Sequence, residues 1–349
     1  MKHSIHSLLL ASVFAGAAGL AYAQDLAPLN SDTEPDRIDW SELEARFGPV
    51  PAPAEGTKVG GVSKTLTNEY WRSLGEGYQN MADQYGLELT YQAAQSEGDQ
   101  LGQLSIAETL ISQGFNALLV SPQTDANLVP AVEAATEAGI PVLNVNDAVI
   151  PSAEHYVGNV QKDNGARVAQ WFIDNRPDGG KVAVIEGQAG VYAAGQRTAG
   201  FTETIEGAGN FEVVASVPAD WDRQKAYDSA ATILQQNPDL IGFYANNDGM
   251  ALGIVEAVKA AGLEDQVVVF GTDGISDAYA SIRAGDLTGT VDSFPVLTGE
   301  VAMDVALRLI AGQDLPRVVA TPQALITADN VETYATDDMA ALRQTLSAQ

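Results

Sequence analysis

After Thr57 the chain settles into one rhythm, in which short β-branched or apolar runs alternate with longer stretches of helical period almost to its end. Two strands joined through a helix run parallel, because the connection must cross the sheet, and such a sheet is covered by helices on both faces. The strand-like runs are Lys58 to Ser63, Leu87 to Ala93, Ala117 to Ser121, Ile140 to Val145 and Lys181 to Ile185. They continue with Phe211 to Val217, Leu240 to Ala245, Val267 to Gly271 and Leu287 to Val291. Between the runs, Tyr70, Leu74, Tyr78, Met81 and Tyr85 fall on one helical stripe that stops at Gly86. After Pro295, the residues Val301, Val305 and Leu309 share a face that Gly312 closes. The expected class is α/β with parallel-sheet cores. The alternation runs too long for one open sheet, so it divides into two similar lobes, with a crossover near His155 to Asp163 and a return near Ser293.

The beginning of the chain reads differently. Lys2 precedes an apolar run from Leu8 to Leu20, and Ala21-Tyr22-Ala23 has the small-x-small pattern of a cleavage site, so residues 1–23 read as an export signal. A membrane anchor is the poorer reading, since the run is short for a span and ends in a cleavage pattern. The mature protein is therefore expected to be soluble and exported. Residues 24–57 carry Pro28, Pro35, Pro49, Pro51 and Pro53, a density that interrupts regular elements and marks an extension. Within it, Asp39 is placed to cap a short helix with Trp40, Leu43 and Phe47 on one side and Gly48 as its stop. That helix is expected to pack on the outside of a domain with no direct functional role.

Composition removes several chemistries. There are 46 Asp+Glu against 18 Lys+Arg, a formal charge of −28, and no basic run offsets it, which argues against nucleic acid or anionic lipid as partner. The absence of cysteine excludes disulfides, thiolate nucleophiles and Cys-ligated metal. Loss of the leader takes His3 and His6 with it, so His155 alone remains and no multi-histidine metal site is available. A Ser-His-Asp hydrolase would have to use His155, whose place just before a strand reads more plainly as surface or hinge. No G-x-x-x-x-G-K-[ST] occurs, and neither Gly187 with Gly190 nor Gly75 with Gly77 completes a G-x-G-x-x-G, so no cofactor is expected. Adjacent carboxylates are expected by chance in so acidic a chain and give a glycosidase-like pair little support.

Ligands of open parallel sheets bind beyond the carboxyl ends of the strands. Those ends read Ser63-Lys64, Ser121, Asn146-Asp147, Asn246-Asn247-Asp248, Thr272-Asp273 and Asp292-Ser293. Asn68, Tyr70 and Trp71 follow the first of them, Arg197 lies in a helix, and Trp221 lies in Pro218-Ala-Asp-Trp-Asp-Arg223. Aromatic faces cover the C–H surfaces of a sugar or polyol, while carboxylates, amides and a guanidinium bond its hydroxyls. The plainer reading is that Asn and Asp cap helices and the aromatics are core.

Residues from about Lys58 onward resemble the periplasmic sugar-binding proteins of ABC importers, in the ribose-binding-like branch of the type I fold. The most specific stretch is Tyr244-Ala-Asn-Asn-Asp-Gly-Met-Ala-Leu-Gly253, with Gly271-Thr-Asp-Gly274, Pro218 to Arg223 and Arg197-Thr-Ala-Gly-Phe201 beside it. The resemblance implies two Rossmann-like lobes joined by a three-crossing hinge, with ligand held between them. It implies ligand contacts at Asn68, Tyr70 and Trp71 in the N-lobe, and at Arg197, Trp221, Asn247 and Asp273 in the C-lobe. The sequence departs from the pattern at three places. Lys64 stands where a small polar residue is usual, Asn146-Asp147 replaces an Asp-Arg pair, and Ser293 replaces a longer glutamine, so the particular sugar is left open. Three roles are open for Lys64: supplying charge lost at the altered pair, meeting a ligand carboxylate, or pairing with Asp147.

On this reading the N-lobe comprises residues 58–160 and 294–321, and the C-lobe 161–293 and 322–349. The expected function is capture of a monosaccharide or polyol and its delivery to an inner-membrane ABC permease by a monomeric, non-enzymatic protein. An exported sugar-acting hydrolase and a ligand sensor that presents its closed form to a membrane receptor are the alternatives. A DNA-binding repressor is disfavoured by the export signal and the acidic charge.

Overall fold

The computed structural model describes residues 27–336 and 338–348; the leader read over 1–23 lies outside them. The chain first forms β1 (Arg37–Asp39), α1 (Leu43–Phe47), β2 (Lys58–Ser63), α2 (Glu69–Tyr85), β3 (Glu88–Ala93) and α3 (Gln100–Ser112). It continues through β4 (Ala117–Val120), α4 (Val129–Glu137), β5 (Val142–Val145) and β6 (His155–Gly158). Then follow α5 (Gln161–Asn175), β7 (Gly180–Glu186), α6 (Tyr192–Gly207), β8 (Phe211–Pro218) and α7 (Arg223–Gln236). Next come β9 (Leu240–Ala245), α8 (Asp248–Ala261), β10 (Val268–Asp273), α9 (Ser276–Ala284) and β11 (Gly289–Asp292). The last elements are α10 (Pro295–Ile310), β12 (Val318–Ala320), β13 (Ala324–Thr327), α11 (Val331–Tyr334) and α12 (Met339–Ser347).

Two sheets result. The N-lobe sheet has the order β1-β12-β6-β5-β4-β2-β3, with every neighbouring pair parallel. The C-lobe sheet has the order β13-β11-β10-β9-β7-β8, parallel except where β13 runs against β11. In each lobe the chain reverses its direction of strand addition beside one strand, β2 in the first and β7 in the second. Such a switch point leaves a crevice outside the strand ends, which is where ligands settle in open sheets. The chain passes between sheets at 159–160, 293–294 and 321–323, the three crossings of a hinge.

The local readings explain the packing. Tyr70, Leu74, Tyr78 and Met81 of α2 are buried, and each such side chain removed from water contributes about 1.5–3 kcal/mol. Asp39 closes a capping box on a single 3-10 turn, Trp40–Glu42, and α1 ends at Gly48, as the pattern predicts. The strands β1, β12 and β13 escaped the sequence reading, because three or four residues are too few to display a period. Residues 322–349 had been placed together in the C-lobe. β13 does join its sheet, but α12 returns to the N-lobe, where Arg343 bonds Glu300 of α10 at 2.6 Å and its guanidinium lies over the Trp40 ring at 5.5 Å. Among the described residues no helix is long and apolar enough to cross a membrane.

Candidate functional site

The two switch points face each other across a cleft lined by Asn68, Tyr70, Trp71, Glu97, Asn146, Asp147, Arg197, Trp221, Asn247 and Asp273. Counting the open solvent at its mouth, the space between the walls is ≈ 290 Å³. Nine of the residues singled out in the sequence are therefore brought together here, five from the N-lobe and four from the C-lobe. Lys64 and Ser293 stand behind the lining. Ser293 follows β11 at a hinge crossing, where its backbone N–H donates to Asp273 O at 3.3 Å and its hydroxyl lies 3.5 Å from the same oxygen.

Lys64 directly follows β2 and is wholly buried. Its ammonium donates to the Asp147 carboxylate, so of the three roles open to it the structure realises the pairing. The same nitrogen lies 5.9 Å from the Trp71 ring centre and 5.5 Å from that of Trp221, one indole from each lobe. Opposite, Arg197 is held from three directions. Its Nε donates to Gln161 Oε1 at 2.9 Å, one terminal nitrogen donates to Asn246 O at 2.6 Å, and the same nitrogen lies 3.6 Å from the Asp273 carboxylate. Arg197 is placed by α6 packing closely on α5. A Cβ at Gly165 would come within 1.9 Å of Arg197 O, and one at Gly200 within 1.8 Å of Lys162 O, so only glycine lets these backbones meet.

Asn68 and Asn247 serve both readings at once. Each caps its helix, accepting from Tyr70 N at 3.0 Å and from Met250 N at 2.9 Å, and each still lines the cleft. Asn146 donates to the Tyr70 hydroxyl and accepts from Gln161 Nε2 at 2.6 Å. Six non-glycine residues among those described have left-handed φ: Asn146 (49°), Asp147 (61°), Asp220 (54°), Trp221 (64°), Asp273 (143°) and Phe294 (48°). All lie at the cleft, beside it or at a hinge crossing. Backbone strain of this kind persists only where surrounding packing over-determines it, and it concentrates at functional sites.

The ring of Trp221 occupies space left by Gly187, where a Cβ would lie 2.1 to 2.3 Å from three of its ring atoms. Among the described residues, Trp221 Nε1, Glu97 Oε2 and Asn246 Nδ2 are buried without a hydrogen-bond partner, a costly state that a bound polar molecule could relieve at the two cleft-lining side chains. Glu97 was missed in the sequence. It lies four residues past the end of β3, a strand read from the sequence whose end was not among those searched for polar residues. Its other oxygen accepts from Trp71 Nε1 at 3.2 Å. Gln161, also missed, stands directly after the first hinge crossing, three residues past the end of β6, a strand that was not among the runs read from the sequence.

Carboxylates outnumber cations in and directly behind the lining. Glu97, Asp147 and Asp273 stand against Lys64 and Arg197. Burial pushes the Glu97 carboxyl above its ordinary range, with Lys64 drawing it partly back. Burial pushes Asp273 well above its ordinary value even against the neighbouring Arg197 guanidinium. The only histidine among the described residues, His155, begins β6 at the strand end away from the cleft, with Nδ1 3.3 Å from Pro316 O. Among the described residues no group of acids and histidine is arranged to hold a metal ion.

Two doubly wound lobes, hinged by three crossings about a cleft walled by indoles and hydrogen-bonding groups from both, define a bilobal small-molecule receptor. Residues 59–314 match the family described as the periplasmic binding protein domain, and the chain belongs to that family. It is 37% identical over 251 residues to the D-allose-binding periplasmic protein of Escherichia coli K12, covering 69% of this chain and 81% of that one. It is 33% identical over 289 residues to a D-ribose/D-allose-binding protein of Pseudomonas aeruginosa, covering 78% and 90%. Among solved structures, an ABC transporter periplasmic solute binding protein from Actinobacillus succinogenes with bound D-allose superposes with a TM-score of 0.76. That pair shares 29% identity, over 80% of this chain and 100% of the other.

Proposed function

We propose that this protein is the solute-binding component of an ABC importer, taking a neutral monosaccharide or polyol between its lobes and presenting it to a membrane permease. The observation that carries the reading is the cleft itself, where Trp71 and Trp221 come from opposite lobes and Arg197, Asp273, Glu97 and Asn247 offer charged or amide groups to hydroxyls. Relatives named for D-allose and D-ribose support the ligand class. With Lys64 paired to Asp147 and Arg197 beside Asp273, neither buried cation is left free for a ligand carboxylate, so a neutral polyhydroxy ligand fits the site better than a sugar acid.

Ligand that touches both walls favours the closed state by its differential contacts, so capture and closure are one equilibrium. No bond is broken, and neither metal nor cofactor is called for. Micromolar binding corresponds to about 8 kcal/mol, within reach of several charge-assisted hydrogen bonds together with stacking. We place the protein in the periplasm as a monomer. Calorimetry against pentoses, hexoses, polyols and sugar acids tests the reading. Saturable binding to a neutral member, lost in Trp221→Ala and in Arg197→Ala, is expected; binding to none of them, or steady product formation from one, would overturn it.

A further inference from the structure

Residues 29–39 of the N-terminal extension touch both lobes and lie outside the family match. On the N-lobe side, β1 lengthens the sheet alongside β12, Glu34 pairs with Arg317 at 2.8 Å, and Leu29 N donates to Pro151 O at 2.9 Å. On the C-lobe side, the two carboxylate oxygens of Asp32 accept from the backbone N–H groups of Gln161 at 3.1 Å and Lys162 at 2.7 Å. These are the first residues of α5, whose own cap residue, Val160, has no side-chain acceptor. The Tyr192 hydroxyl at the start of α6 donates to Asn30 at 2.7 Å, and Asp32 N lies 3.3 Å from the same hydroxyl.

Gln161 makes this contact consequential. Its side chain accepts from Arg197 at 2.9 Å and donates to Asn146 at 2.6 Å, and these two residues line opposite walls of the cleft. We infer that Asp32 is a positioning residue that acts through Gln161: by holding the first turn of α5 it holds the side chain that spaces Asn146 from Arg197, and so tunes ligand affinity from outside the cleft. A carboxylate is the suitable group, because the exposed N–H groups at a helix start carry partial positive charge and bond an anion more strongly than a neutral acceptor. With Asp32 gone, nothing in Val160 replaces it, the first turn loosens, and the lobes lose one of the links that hold them in register.

The inference rests on the cleft being the ligand site, so its test also reads the lobes without ligand. The chain has no cysteine, and Leu101→Cys and Glu264→Cys place one spin label on an exposed position of each lobe. Asp32→Ala is expected to lengthen and broaden the ligand-free distance distribution and to raise Kd about threefold to thirtyfold, the span of losing one helix cap. Tyr192→Phe should move both readouts the same way by less. Asp39→Ala, which weakens the short helix of the extension without touching α5, should move neither. An unchanged distance distribution in Asp32→Ala, with Kd within twofold of the parent, would overturn the inference. If the parent protein binds no sugar, the ligand reading fails, while the distances still decide the role of Asp32.

Discussion

Replacing Asp147 by asparagine isolates the charge of the buried Lys64–Asp147 ion pair at the cleft. Asparagine is the appropriate change, because φ at this position is 61° and Asn tolerates the left-handed region where alanine would add strain. It leaves the Lys64 ammonium wholly buried without its counter-charge. Breaking a buried pair from one side costs about 3–5 kcal/mol. Here the loss is softened by the nearby Glu97 carboxylate and by two indole rings at 5.9 and 5.5 Å. Lys64 keeps these contacts, each worth about 0.5–2 kcal/mol, after the substitution and so is less stranded than a charge left with no partner, which places the expected loss at about 2–4 kcal/mol. At about 2–4 °C per kcal/mol for a unit of this size, the melting temperature should fall by roughly 4–16 °C. Urea unfolding of the ligand-free protein measures the loss directly. Adding Lys64→Met removes the stranded charge, so the double variant should regain most of the stability, and the coupling between the two sites should be of the same order as the loss. Asp147→Asn within about 0.5 kcal/mol of the parent, a typical surface-substitution effect, would refute the reasoning, as would a double variant less stable than either single one.

Gly187→Ala should displace the Trp221 ring, since the new methyl would sit 2.1 to 2.3 Å from three of its atoms. Calorimetry should then show sugar affinity falling about tenfold or more, near 1.4 kcal/mol, with little change in far-ultraviolet circular dichroism; unaltered affinity would deny Trp221 a part in binding. Burial pushes Asp248 up to about 6 and Asp292 up to about 7, so between the ordinary carboxylate range and those values the folded protein holds protons that the unfolded chain has released. Stability should therefore decrease as pH rises from about 4 to about 7, and Asp292→Asn should flatten the profile; a melting temperature that climbs from pH 5 to pH 8 would contradict the assignment. Sugar acids should bind more weakly than the neutral sugars of the same ring, and Lys64→Met should not selectively weaken them; tighter binding of the acid would mean that Lys64 leaves Asp147 to meet it.

The sequence alone established whatever depends on neighbours along the chain. Short apolar and β-branched runs alternating with helical stretches placed β2 and β9 at Lys58–Ser63 and Leu240–Ala245 to the residue, and the stripe from Tyr70 to Tyr85 became α2. The Asp39 cap is a local signal of the same kind, since its partners lie within three residues. Strand ends were legible too, and because ligands gather there, Asn146, Asp147, Asn247 and Asp273 could be named from them, while Asn68, Tyr70, Trp71, Arg197 and Trp221 were pointed to by the aromatic and polar pattern and the family resemblance. Tertiary structure alone decided the partners. That Lys64 pairs with Asp147, that Glu97 joins the lining while Ser293 stands behind it, and that Asp32 reaches α5 are contacts between residues far apart in sequence. No period or spacing records such contacts, because they depend on how separately formed elements pack and on where the chain crosses the hinge. The short strands β1 and β12 belong to the same class, since they are held by pairing with each other and with β6 rather than by any preference of their own three residues.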